Sequence, residues 1–213
     1  MVKISTSVLY ENNVKEVIKK LNNTNTDYIH IDIMDGNFVK SKSMSFSKIK
    51  SLLKDNKIPL DVHLMVNNPN HLIEQFALLN TSIITIHYEL SKDINKYIDK
   101  IKSYGIKCGV SVKPKTPIKD IYDYLDKIDL VLVMSVEPGA SGQTFILDSL
   151  EKISELKSEI MKKNVNISIE VDGGINEETG KLCKEQGADI LVSTSYILRG
   201  YNYDDKINTL KNN

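Results

Sequence analysis

The chain has 213 residues, 41% of them hydrophobic, which is enough to bury one sizeable core. Its 28 basic residues balance its 28 acidic ones and are scattered along the sequence, which excludes a broad electrostatic footprint for nucleic acid or an anionic membrane. No apolar run reaches the roughly 18 residues of a membrane span, no signal-peptide pattern opens the chain, and Cys108 and Cys183 lack CxxC spacing. These features predict a reduced cytoplasmic protein with neither a nucleic-acid nor a membrane partner.

Apolar, strand-like runs alternate along the chain with segments whose apolar residues recur at helical spacing. The predicted strands are residues 2–8, 28–33, 60–66, 82–88, 107–113, 130–136, 167–172 and 190–195. The predicted helices are residues 13–21, 46–53, 69–79, 94–104, a segment beginning near Pro117, and residues 148–163, 177–186 and 203–210. Eight strand-helix units of roughly 27 residues each predict an α/β fold, a single (β/α)₈ TIM barrel domain over residues 1–213.

Two histidines and two aspartates fall at the ends of three of these strands. His30 and Asp32 lie two apart in YIHIDIMDG and should project from one face, His63 lies in LDVHLMV, and Asp172 ends ISIEVD. A single strand histidine is more often a hydrogen-bonded core residue. Because barrel active sites lie at the carboxyl ends of the strands, the three strand ends together favour one divalent ion, and zinc, iron(II), manganese or cobalt all fit these ligands.

A metal at this position suits chemistry on a carbon next to a ketone. A Lewis acid stabilises the enediolate that forms when the neighbouring C–H proton leaves. Asp32 and Asp172, on opposite sides, could each move that proton, and removal on one face with return on the other inverts the carbon.

Glycine-rich turns after the sixth and seventh strands predict a phosphate site. Residues 135–145 read SVEPGASGQTF, and Gly173 and Gly174 directly follow Asp172. Barrels of this type bind phosphate at the last strands with backbone N–H groups, so no arginine is needed. Taken alone, the glycines are more typical of plain turns than of a phosphate site.

The motifs HIDIMDG, DVHLMV, MSVEPGASGQTF and EVDGGIN, in this order, resemble those of the ribulose-phosphate 3-epimerase family over about residues 4–198. The resemblance implies a metal-dependent enzyme that interconverts ribulose 5-phosphate and xylulose 5-phosphate in the pentose phosphate pathway. It implies that His30, Asp32, His63 and Asp172 bind the metal, with Asp32 as proton acceptor and Asp172 as proton donor. The implied substrate-binding residues are Ser7, His63, Met34, Met65, Met134, Gly139, Ala140, Ser141, Gly142, Gly173, Gly174, Thr194 and Ser195. The methionines would cap the enediolate, although each alone is as typical of core packing.

The chain departs from the family pattern around the mouth of the barrel. Thr6, Tyr10 and Asn37 replace the usual Pro, Ser and His, and a polar stretch follows Val39 where the family has Pro-Asn. In the phosphate segments the departures are Ala140, Ser141 and Thr194, and threonine does not readily adopt a positive φ.

Several alternatives stay open from the sequence. The same residues would serve an epimerase for another ketose phosphate, such as allulose 6-phosphate, or a sugar-phosphate-binding barrel without catalysis. His87 either lines the pocket or makes a structural hydrogen bond, and His71 is expected to be solvated. The sequence also leaves a homo-oligomer open.

Overall fold

A computed structural model describes residues 1–90 and 94–212. Within these residues, eight parallel strands form a closed barrel in chain order, in which β8 pairs with β1. The prediction of a TIM barrel is therefore confirmed. The strands are β1 (Lys3–Ser7), β2 (Tyr28–Met34), β3 (Leu60–Met65), β4 (Thr81–His87), β5 (Lys107–Val112), β6 (Leu130–Met134), β7 (Ser168–Asp172) and β8 (Ile190–Ser193).

Helices alternate with the strands around the barrel. They are α1 (Val14–Leu21), α2 (Phe46–Leu52), α3 (Asn70–Ala77), α4 (Ile94–Ser103), α5 (Ser149–Lys163), α6 (Glu177–Glu185), α7 (Ser195–Leu198) and α8 (Tyr203–Asn212), and Tyr88–Leu90 is a short 3₁₀ helix. None of the helices in the described ranges is both long and apolar enough to cross a membrane.

Besides shifts of one or two residues at the ends of elements, the structure departs from the sequence prediction most clearly near Pro117 and after the eighth strand. The helix predicted near Pro117 is a 3₁₀ helix, Ile118–Tyr124, whose buried residues Ile118 and Ile121 are three apart. Three residues per turn bring such positions onto one face, which is turned toward the core. The eighth strand ends at Ser193, because Thr194 already caps α7.

The barrel interior is divided between polar and apolar side chains. Every residue of β2 and β3 is buried, and the inward positions of these two strands carry titratable side chains. An apolar cluster fills most of the remaining interior, and its members are Tyr28, Ile83, Leu130, Leu132, Met134, Val136 and Ile190. A larger apolar layer between the strands and the helices forms the main core. The titratable side chains of the interior lie on β2, β3, β4 and β7, and the predicted metal ligands are among them.

Candidate active site

Three strands each contribute two titratable side chains that are two residues apart and therefore point into the barrel. The pairs are His30 and Asp32 on β2, Asp61 and His63 on β3, and Glu170 and Asp172 on β7. The strand register places His30 opposite Asp61 and Asp32 opposite His63. As a result, one ligand atom from each of the four predicted metal ligands lies within 4.8 Å of the others.

Two histidine nitrogens in this cluster have no hydrogen-bond partner. Nε2 of His30 and Nδ1 of His63 are buried and unbonded, and they lie 3.4 Å and 3.3 Å from Oδ1 of Asp32. Buried polar atoms are almost always satisfied, so two orphaned nitrogens facing one carboxylate require an explanation. Two imidazoles and two carboxylates within reach of one point form a donor set that suits a divalent transition metal.

A layer of hydrogen bonds below the cluster orients His30. Nδ1 of His30 donates to Oδ2 of Asp61 over 2.7 Å, and the Ser5 hydroxyl donates to the same oxygen over 2.7 Å. Burial and the Asp61 charge raise the pKa of Glu170 well above its ordinary value, which favours the protonated acid. Ser5, Asp61 and His30 thus form one hydrogen-bonded network that holds Nδ1 of His30, and Nε2 is the ring atom that faces the cluster.

His63 is held from its other side by a second histidine. Its Nε2 lies 2.9 Å from Nε2 of His87, and Nδ1 of His87 donates to Oε2 of Glu89 over 3.0 Å. Burial lowers the pKa of His87 to about 4, although Glu89 opposes this shift, so the ring is neutral near pH 7. The pKa of Glu89 is lowered to about 2 despite burial, because His87, Thr116 and the Lys113 amide donate hydrogen bonds to it.

The two predicted catalytic carboxylates have opposite electrostatic environments. Burial works against ionisation of Asp32, but the flanking His30 and His63 lower its pKa, and Ser7 donates a hydrogen bond to its Oδ2 over 3.0 Å. Burial and then the Asp32 charge raise the pKa of Asp172 to about 6. Environments that separate the pKa values of two neighbouring acids are typical of an acid and a base that act as a pair.

A pocket opens above this cluster at the carboxyl ends of the strands. The predicted site residues that line it are Asp32, Met65, Met134, Gly139, Ala140, Ser141, Gly142, Asp172, Gly173, Thr194 and Ser195. His30 and His63 are fully buried beneath it, and Ser7 and Gly174 are not part of its lining. Met34 lines a neighbouring cavity instead. Among the described residues, those that line the pocket include neither Lys nor Arg.

Backbone conformation shapes the predicted phosphate segments. Gly173 has a φ of +123°, and a Cβ on it would lie 2.5 Å from the Val136 side chain. Gly174 has a φ of +63°, and a Cβ there would lie 2.7 Å from the Phe145 amide nitrogen. Thr194 has a φ of −114°, so this position does not need the positive φ that glycine favours. These segments therefore keep a shape that only glycine permits at positions 173 and 174.

The polar segment after β2 folds over the edge of the mouth. Asp35 anchors it by accepting hydrogen bonds from the amides of Asn37 and Phe38 over 2.8 Å. The Phe38 ring lies 4.7 Å from the His87 ring, and a Cβ on Gly139 would lie 3.0 Å from Cβ of the neighbouring Val39. The segment thus links β2 to the phosphate loop across the mouth.

Several residues of the site were not predicted from the sequence. Asp61 and Glu89 hold the two histidines His30 and His87 by hydrogen bonds, Glu170 is buried close to His30 and Asp61, and Tyr10 lines the pocket. Asp61 and Glu170 each stand two positions before a predicted ligand, and this spacing is the signal that could have found them.

The fold and the site define a (β/α)₈-barrel enzyme with a candidate metal centre at its mouth. Solved structures of the same fold include KGPDC from Streptococcus mutans, with a TM-score of 0.71 and 14% identity over 99% of this chain and 95% of that one. Another is 3-hexulose-6-phosphate synthase from Salmonella typhimurium, with a TM-score of 0.67 and 16% identity over 98% and 96% of the two chains. At these identities the likeness concerns the fold alone.

Sequence comparison gives the family. The model of the ribulose-phosphate 3 epimerase family matches residues 3–198, and this chain belongs to that family. It is 40% identical to ribulose-phosphate 3-epimerase of Methanocaldococcus jannaschii over 100% of this chain and 89% of that protein. It is 38% identical to the Bacillus subtilis protein of the same name over 92% of each chain. The prediction of an epimerase, an isomerase that acts on carbohydrates, is thereby confirmed.

Proposed function

We propose that the protein is a metal-dependent epimerase that inverts C3 of a ketose phosphate, converting ribulose 5-phosphate to xylulose 5-phosphate and back in the pentose phosphate pathway. The observation that carries the proposal is the cluster of His30, Asp32, His63 and Asp172, with two unbonded histidine nitrogens, at the mouth of the barrel. Membership of the epimerase family supports the same reaction. The intact ligand set argues against a barrel that only binds sugar phosphates.

These four residues are the proposed ligands of one divalent cation. Zinc, iron(II), manganese and cobalt all accept two imidazole nitrogens and two carboxylate oxygens. A divalent cation held there would act as a Lewis acid and stabilise the negative charge that develops on the substrate oxygens when the C3 proton leaves.

Asp32 and Asp172 are the proposed proton carriers. In one direction, ionised Asp32 accepts the C3 proton from one face of the substrate, and protonated Asp172 donates a proton to the other face. The reverse reaction exchanges the two roles, and atoms balance because one proton leaves C3 and one returns. The separation of their pKa values supports the assignment, since Asp172 is raised to about 6 while the histidines lower the pKa of Asp32.

The phosphate is proposed to bind backbone N–H groups of residues 139–142, 173–174 and 194–195. All of these residues except Gly174 line the pocket. The glycines of the first two segments have positive φ. Gln143 supports the first segment, because its side-chain amide donates to the carbonyl oxygens of Glu137 and Ala140 over 2.7 Å and 2.8 Å. A neutral wall of amides can hold a dianion without a cationic side chain.

The remaining proposed substrate contacts concern the sugar. Ser7 is fixed by its hydrogen bond to Asp32, and Met65 and Met134 bring polarizable apolar surface to the pocket beside the carboxylates. Met34 contributes only if the segment after β2 rearranges, because it lines the neighbouring cavity. We also propose a cytoplasmic location, which the two unpaired, buried cysteines support.

Competing substrates test the proposal. Purified, metal-loaded protein is assayed with ribulose 5-phosphate and with allulose 6-phosphate, and kcat/KM is compared. We expect a preference of at least about tenfold for the five-carbon substrate, the size of a discrimination against one extra carbon unit. A preference for the six-carbon substrate would assign the other epimerisation, and no turnover of either would contradict the proposal.

A further inference from the structure

Three side chains, of which the two histidines are fully buried, run in a hydrogen-bonded series from the candidate metal centre to the loops after β4 and β5. The series consists of His63, His87 and Glu89, joined by the contacts of 2.9 Å and 3.0 Å described above. We propose that Glu89 is a positioning residue that acts through His87 to hold His63 in the tautomer whose Nδ1 lone pair faces Asp32. The inference rests on the proposed metal site, and it identifies what prepares one of its ligands.

The number of hydrogens available between His63, His87 and Glu89 determines the tautomer of His63. Only one hydrogen fits between the two Nε2 atoms, since they are 2.9 Å apart. Glu89 is a carboxylate and can only accept, so Nδ1 of His87 carries a hydrogen and Nε2 of the neutral ring carries a lone pair. Nε2 of His63 must then donate to His87. The remaining nitrogen of His63, Nδ1, is left without a hydrogen, as a metal ligand requires.

The position of Glu89 leaves it no other arrangement. Its Oε1 accepts from the Lys113 amide over 2.7 Å and from the Thr116 hydroxyl, so Oε2 is the oxygen that remains for His87. The His87 ring itself is fully buried between Phe38 at 4.7 Å and His63 at 4.9 Å, measured between ring centroids. Both ends of the hydrogen-bonded series from His63 to Glu89 are therefore fixed, and this determines where the hydrogens between them lie.

The two histidines of the cluster thus depend on different carboxylates. Asp61 contacts His30 directly, whereas Glu89 is one ring removed from His63. A change at Glu89 leaves the hydrogen bonds of His30 intact. The contribution of Glu89 and His87 to metal affinity can therefore be measured separately.

Glu89→Gln is the decisive variant because it keeps the shape and reverses the direction of the hydrogen bonds. The single amide oxygen stays with its two donors, Lys113 and Thr116, and the NH₂ group then donates to His87. The hydrogens shift along the chain, and Nδ1 of His63 becomes protonated and points an N–H at Asp32. We expect metal affinity, measured by competition with a chelator, to fall by about 10- to 100-fold, the usual effect of losing an outer partner.

Ring-nitrogen NMR of isotope-labelled, metal-free protein reads the tautomer without any activity assay. The wild type should show an unprotonated Nδ1 on His63, and Glu89→Gln should show a protonated one. Thr116→Val is the matched control, because it removes one hydrogen bond to Glu89 and keeps the carboxylate, so the wild-type tautomer and affinity should persist.

Each outcome supports or overturns the proposal. A protonated Nδ1 on His63 in the wild type would overturn it. This wild-type measurement remains decisive even if the Glu89→Gln variant fails to fold. Unchanged tautomer and affinity in Glu89→Gln would also overturn it, while normal metal binding and turnover by the wild type would leave the proposed function standing. A wild-type enzyme that epimerises without metal would instead contradict the proposed function.

Discussion

Asp32 and His63 stand opposite each other on neighbouring strands, and Oδ1 of Asp32 lies 3.3 Å from an unbonded Nδ1 of His63. Nε2 of His30 approaches the same carboxylate oxygen at 3.4 Å and is also unbonded. Lone pairs that face each other in a buried site repel unless a cation or a proton lies between them. The outer hydrogen bonds to Asp61 and His87 orient both rings so that these nitrogens face Asp32, and a divalent cation between them would satisfy all three groups.

Removal of one proposed ligand should empty the metal site. His63→Ala deletes an imidazole and its lone pair, so metal content should fall below one ion per chain and affinity should drop by more than about 100-fold, beyond the effect of an outer partner. Elemental analysis and turnover are measured together. His71→Ala, which removes an exposed histidine, is the control and should retain both. Full metal content in His63→Ala would remove His63 from the ligand set.

The phosphate site can be tested with two glycines that share their geometry but not their location. Gly142 and Gly105 have φ values of +75° and +71°, and a Cβ would meet nothing within 4 Å at either. Alanine should therefore cost about 1 kcal/mol of stability at both. Only Gly142→Ala displaces amides of the pocket, and the loss of one hydrogen bond to a charged group should raise KM roughly tenfold. Equal KM values for the two variants would show that the phosphate binds elsewhere.

The buried His87 should make the protein sensitive to acid. Burial lowers its pKa from 6.5 to about 4, against the hydrogen bond to Glu89. As the pH falls, the unfolded chain therefore binds this proton before the folded protein does. The contribution of His87 to the free energy of unfolding is fully present above pH 6.5 and is lost between pH 6.5 and pH 4. The expected slope is up to about 1.4 kcal/mol per pH unit.

Denaturant unfolding of metal-free protein at several pH values measures this slope. His87→Gln removes the titrating group and should flatten the curve relative to the wild type across the stated window. His71→Gln provides the comparison for losing an exposed histidine. Parallel curves for the wild type and His87→Gln would contradict the lowered pKa.

The two aspartates should fail in different ways when each is replaced. Asp172→Asn and Asp32→Asn should each slow epimerisation by about 100- to 10,000-fold, the usual contribution of a positioned acid or base. Asp172→Asn should still exchange the C3 proton of ribulose 5-phosphate with solvent, and Asp32→Asn that of xylulose 5-phosphate. Metal content is measured first in both, because each residue is also a proposed ligand. Identical exchange behaviour in the two variants would argue against separate faces.

Local patterns were sufficient to predict the barrel and the inner ligands. Each strand is an apolar run bounded by turn residues, and His30 and Asp32 had to share a face because they lie two apart on one strand. The link between Glu89 and His63 could not be predicted in this way. It depends on the alignment of β3 with β4 and on the orientation of the His87 ring. Local sequence patterns determine neither of these. The 3₁₀ winding of Ile118–Tyr124 likewise follows from packing rather than from propensity.

Solvent isotope incorporation tests the central claim, which is that two carboxylates on opposite faces move the C3 proton. A single turnover of ribulose 5-phosphate by metal-loaded wild-type protein in D₂O should place solvent deuterium at C3 of the xylulose 5-phosphate formed, because the acid that returns the proton is not the base that removed it. Product that keeps the substrate's own C3 hydrogen, with no solvent isotope after many turnovers, would indicate one shielded base and contradict the account.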